Sequence, residues 1–93
     1  MIKGFCCKET EKLWRRRLTR KFPSSVKQTA RIKLRILHVS ESLNQLRVPP
    51  SNRLEALAGS RKGQYSIRIN RQWRICFRWE SGDAYDVEIV DYH

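Results

Sequence analysis

The chain has 93 residues, enough for one thin two-layer domain and too few for two independent cores. Hydrophobic residues make up 40%, which excludes a disordered polyelectrolyte, and no apolar run is long enough to span a membrane. Twenty Lys and Arg against nine Asp and Glu give a net charge of +11 and a pI near 10.3, so the partner expected is a polyanion, either nucleic acid or an acidic protein.

In chain order, Met1 to Phe5 reads as a short edge strand. It contains no hydrophobic leader, and a cytoplasmic protein without a membrane partner is expected. From Lys8, Glu9 and Glu11 followed by Arg15-Arg16-Arg17 place charge as a helix dipole prefers, predicting a first helix that ends before Phe22-Pro23. Ser24 or Ser25 is expected to cap a second helix. There Val26, Ala30, Leu34 and Leu37 recur at helical spacing, and Ile32, Ile36 and Val39 are expected to widen the buried stripe. Lys27, Arg31 and Arg35 fall four residues apart on another face. Such a row is either a solvated side or a contact surface for RNA or an acidic partner. Leu43 and Leu46 extend this helix or form a separate turn before Pro49-Pro50.

Beyond the prolines the period changes to two. A glycine-bounded basic loop, Ala58 to Gly63, carries Arg61 and Lys62 as candidate RNA contacts. Tyr65, Ile67 and Ile69 then alternate with polar residues, as do Trp73, Ile75, Phe77 and Trp79 with Arg74, Cys76, Arg78 and Glu80. After the Ser81-Gly82-Asp83 turn, Tyr85, Val87 and Ile89 are expected to face inward. The whole predicts one α+β domain over residues 1–93, with two or three N-terminal helices on one face of a small, mainly antiparallel sheet of four or five strands.

The charge is uneven: residues 8–37 hold eleven bases and two acids, and residues 80–93 hold five acids and no Lys or Arg. If the aromatic side of the Trp73–Glu80 run enters the core, Arg74 and Arg78 share the opposite face, and Arg68 joins them from the adjoining strand. Three guanidinium forks on one sheet surface suit phosphate oxygens, although cross-strand pairing with Asp86 and Glu88 is expected to occupy at least one. A strand runs directly into Asp91-Tyr92-His93, which brings a carboxylate, a phenol and an imidazole towards that surface. Cys6, Cys7 and Cys76 make no disulfide framework, and with His38 and His93 they show no zinc-ligand spacing, so neither a metal nor another cofactor is expected.

The segment from Leu54 to Asn70 with its Gly59-Ser60-Arg61-Lys62-Gly63 core, then Trp73-Arg74-Ile75, the closing Asp91-Tyr92-His93 and the opening Met1 to Phe5 together resemble the HigB toxins of the RelE superfamily. The resemblance covers essentially the whole chain. It implies a RelE-like fold and a ribosome-dependent endoribonuclease (an mRNA interferase) of a type II toxin–antitoxin system. Such a toxin is restrained by a cognate antitoxin, expected to be a helix-turn-helix protein through which the complex holds operator DNA. By position, Arg74 would neutralise the scissile phosphate, while Asp91, Tyr92 and His93 would serve proton transfer and positioning. Where well-known members carry a histidine and a nearby lysine, this chain has Glu55 and Ala58. Glu55 thus becomes the candidate base, or else a surface residue at a strand end. Two other readings compete: a ParE-like toxin that poisons gyrase, and a non-catalytic nucleic-acid-binding module.

Overall fold

The structure, a computed structural model, describes residues 1–92; His93 lies outside the described residues. Helix α2 (Ser24–Val39) is the spine of the core. Val26, Ala30, Leu34 and Leu37 are at most 1% exposed and pack with Leu13 of α1 (Lys8–Trp14) onto Ile67, Ile75, Phe77, Val87 and Ile89 of the sheet. The sheet has four antiparallel strands in the order β1 (Glu55–Ala56), β2 (Gln64–Arg68), β3 (Trp73–Glu80) and β4 (Asp83–Asp91). This is the helices-on-one-face architecture expected from the switch in period. Among the described residues no helix is long and apolar enough to cross a membrane.

Several local expectations are corrected. Helix α1 stops at Trp14, well before Phe22. Arg16 adopts a left-handed φ of 58°, its N–H returns to the Leu13 carbonyl, and Arg17 N–H returns to Lys12. That is the Schellman stop, ordinarily signalled by glycine and here carried by an arginine. Neither Ser24 nor Ser25 caps α2; Pro23 occupies the cap position without a side-chain bond. Ile32 and Val39 do not widen the buried stripe, for both are 55% exposed, whereas Lys33 is buried in their stead. Lys33 follows the geometry: it lies seven residues after Val26, on the same face, and its Nζ donates to Asn52 Oδ1. Leu43–Arg47 forms a separate 3₁₀ turn that drops Leu46 into the core.

The first residues do not form a continuous strand. They make two isolated parallel bridges to β4, Ile2 with Ala84 and Phe5 with Val87. Between those bridges β4 bulges. Three residues of β3, from Arg78 to Cys76, are matched by four of β4, from Tyr85 to Glu88, with Asp86 in a left-handed conformation at φ 52°. An extra residue reverses the side on which earlier side chains emerge. Tyr85 therefore does not face inward as predicted. It pairs with Arg78 on the outer face, its ring 4.8 Å from the guanidinium, while Ala84 takes the inward place.

Candidate active site

The register of β2 on β3 sets Ser66 opposite Cys76 and Arg68 opposite Arg74, and β1 sets Glu55 opposite Ser66. Strand alternation thus collects Glu55, Ser66, Arg68 and Arg74 on the face away from the helices. Arg74 is not a solvent-facing fork, as expected from sequence, but is 9% exposed. Its Nε donates to Ser66 Oγ at 2.7 Å and its Nη2 to the Arg53 carbonyl at 2.6 Å. Arg53 supplies that carbonyl from a left-handed backbone, φ 45°, at the end of the Pro50–Asn52 turn. A buried guanidinium whose Nε and Nη2 are held by neutral acceptors is positioned to meet an anionic ligand.

Above it lies an open recess of about 350 Å³, lined by Arg53, Glu55, Arg68, Asn70, Arg71, Arg74 and Tyr92. Glu55 Oε1 stands 3.9 Å from Arg74 Nη1 on a side chain that is 57% exposed, so the carboxylate is close to the guanidinium without being locked to it. The β2–β3 hairpin supplies the rim. Asn70 Oδ1 accepts from both Gln72 N and Trp73 N at 2.8 Å, and Arg68 Nε donates to the Asn70 carbonyl at 3.0 Å. This side-chain-closed turn sets Arg71 beside Arg68. Arg53 and Arg71 were passed over in sequence because turn residues show no face; only the folded turns bring them to Arg74.

Tyr92 forms the wall. Its N–H donates to the Gln72 carbonyl, and its hydroxyl lies 3.8 Å from the Sγ of buried Cys76. Burial, helped by the bond with Cys76, raises its pKa above the ordinary 10.0, so the phenol stays protonated at neutral pH. Asp91 is not brought into the recess. It pairs with Trp73 in register, and its Oδ1 accepts from Gln72 Nε2 at 3.0 Å.

The remaining basic candidates divide. Arg61 is drawn across the outer face to Glu88 Oε1 at 2.8 Å and to Gln64 Oε1 at 3.0 Å. Arg78 is paired with Asp86 at 3.3 Å and with Glu80, the competing use foreseen for at least one arginine. Lys62 is exposed on the loop. Lys27 Nζ donates to the Thr19 carbonyl and so anchors the α1–α2 connection. Arg31 and Arg35 lie on the helical layer, outside the recess. Among the described residues no three His, Cys, Asp or Glu side chains converge as metal ligands.

A small antiparallel sheet with helices packed on one face is a RelE-like α+β fold. The fold is like that of a YoeB/ParE toxin from Agrobacterium tumefaciens, with a TM-score of 0.51 over 99% of this chain and 96% of that one at 17% identity. The sequence profile of the RelE-like toxin of type II toxin-antitoxin system HigB matches residues 3–93, and the chain belongs to this HigB-like toxin family. Toxin HigB-1 of Vibrio cholerae serotype O1 is 45% identical over 65 residues, covering 70% of this chain and 68% of that protein. Endoribonuclease HigB of Proteus vulgaris is 30% identical over 93 residues, the whole of both chains.

Proposed function

We propose that this toxin is an endoribonuclease that cuts messenger RNA on the translating ribosome, with the scissile phosphodiester held in the recess over Arg74. The observation that carries the reading is Arg74 itself: a nearly buried guanidinium, fixed by Ser66 and the Arg53 carbonyl, with a carboxylate 3.9 Å from it and a phenol on the wall. The name of the Proteus vulgaris relative supports the same activity. In the reaction the ribose 2′-hydroxyl attacks the adjacent phosphorus, the bond to the 5′-oxygen breaks, and a 2′,3′-cyclic phosphate and a 5′-hydroxyl result. Glu55 takes the 2′-hydroxyl proton, Arg74 neutralises the charge that builds on the phosphoryl oxygens, and His93 protonates the leaving oxygen. Tyr92 stacks on a base, and Arg53, Arg68 and Arg71 grip flanking phosphates. Asp91 enters only as the neighbour that orients the Tyr92-His93 segment.

This chemistry calls on no metal or other cofactor, because a guanidinium meets the developing charge. A recess this open and this sparse in acid–base groups leaves the ribosome to orient the message. The family entails a cognate antitoxin; in this reading it is a helix-turn-helix protein through which the complex holds operator DNA, and the toxin acts in the cytoplasm. Purified protein added to translating ribosomes should cut a reporter mRNA, mapped by primer extension, and Arg74→Ala should not. Intact message with the wild-type protein would sink the proposal, and DNA breaks in place of RNA breaks would favour a gyrase poison.

A further inference from the structure

The helical layer carries a second concavity, on the side of the sheet away from the recess. Where α1 ends against α2, Trp14, Arg16, Arg31, Ile32, Arg35 and Ile36 line a groove of about 600 Å³. Its apolar residues are not fully taken up by the core. Ile32 is 55% exposed at the middle of an amphipathic helix, and Ile36 and Trp14 reach the core only in part. Its polar residues carry one sign, three arginines and no carboxylate. The acids of α1 are engaged elsewhere, Glu9 with Lys12 and Thr19, Glu11 with Arg15. Arg31 Nε is buried and, among the described residues, has no hydrogen-bond acceptor. A guanidinium N–H withdrawn from water without an acceptor is costly, and a ligand oxygen would relieve it.

We infer that this groove docks an acidic, amphipathic peptide segment of the antitoxin. One branched or aromatic side chain of that segment seats against Trp14 and Ile32, and its carboxylates meet Arg16, Arg31 and Arg35. The inference rests on membership of a toxin–antitoxin family, and does not depend on the nuclease reading. Protein fits the groove better than RNA does. An RNA site of this charge would present aromatic faces for base stacking, and two of the three apolar residues here are isoleucines. Interfaces with protein centre on such an apolar anchor ringed by arginine. A segment bound here holds the partner while leaving the recess unobstructed.

The test measures binding of the full chain to the antitoxin, taken as the purified product of the reading frame next to its gene, by calorimetry at two salt concentrations. Ile32→Glu should weaken binding by about tenfold or more, as loss of an anchor does, with mRNA cleavage unchanged; Ile32→Leu should restore it. Arg35→Glu should weaken binding and flatten its salt dependence. Circular dichroism melting checks that the variants stay folded, and Ile32→Gln supplies a milder change if Ile32→Glu does not. Wild-type affinity in both charge variants overturns the inference. So does a loss confined to a single-stranded RNA oligonucleotide, or to self-association on gel filtration. If the wild-type protein cuts no RNA, the nuclease reading fails alone and the calorimetry still decides this one.

Discussion

Ser66 Oγ accepts the hydrogen bond from Arg74 Nε at 2.7 Å, and with the Arg53 carbonyl on Nη2 it leaves Nη1 as the end of the guanidinium nearest Glu55. Ser66 does not itself line the recess and acts through Arg74. Ser66→Ala should lower kcat for RNA cleavage by about tenfold to a hundredfold, the scale of a misplaced positioning contact, with KM little changed. The orphaned Nε should also cost about 1–3 kcal/mol of stability, measured by urea unfolding.

Arg74→Ala removes the charge itself and should lower cleavage by about a hundredfold to a thousandfold, the usual loss for one transition-state donor. Arg74→Lys should recover little of this, because an ammonium cannot engage Ser66, the Arg53 carbonyl and a phosphate together. Glu55→Gln should cost about a hundredfold or more if the carboxylate is the base. Single-turnover rates on ribosome-bound message measure all three, and a Glu55→Gln rate equal to wild type would remove Glu55 from the mechanism.

Tyr92 is held protonated by burial and its contact with Cys76. Its pKa lies above 10.0, so its ionisation should produce no fall in cleavage below about pH 10. Tyr92→Phe keeps the ring and should cleave nearly as wild type. Tyr92→Ala should raise KM by the loss of a stacked base, worth about 1–3 kcal/mol. A Phe variant as weak as the Ala variant would make the hydroxyl the working group.

Lys33 and Asn52 form a buried polar pair between α2 and the Pro50–Asn52 turn, and the Asn52 amide also donates to the Leu46 and Val48 carbonyls at 3.1 and 3.3 Å. Asn52→Ala should destabilise by about 2–4 kcal/mol, since it strands an ammonium and two carbonyls. Burial lowers the Lys33 pKa below 10.5, so in the window between its folded value and 10.5 the unfolded chain binds the extra proton. Stability contributed by Lys33 therefore rises with pH through that window, is complete above 10.5 and is lost as pH falls through the folded value. Urea midpoints of wild type minus Lys33→Met across alkaline pH should show this slope.

The helical spacing of Val26, Ala30, Leu34 and Leu37 and the alternation from Trp73 to Trp79 made α2 and β3 legible, because burial of one face writes a period into the residues. The stop of α1 was not legible: its signal is ordinarily glycine, and here Arg16 holds the left-handed conformation without one. Arg74 as the centre of the site was legible from its strand and from the resemblance. Its burial was not, since Ser66 and the Arg53 carbonyl come from other parts of the chain. Arg53 and Arg71 join the recess for the same reason, by turns whose geometry depends on tertiary contacts.

The bulge at Asp86 also governs how β4 tolerates change. Its two halves obey opposite substitution rules, so a polar residue suited to position 85 is suited to positions 88 and 90 but not to 87 or 89. Deleting Asp86 would remove the extra residue and join the halves into one unbroken alternation, with Ala84 still beneath the helices and Tyr85 still on the outer face. A single-codon loss elsewhere in this strand would put residues of one half on the wrong face, so deletion scanning of β4 should find its greatest tolerance at Asp86.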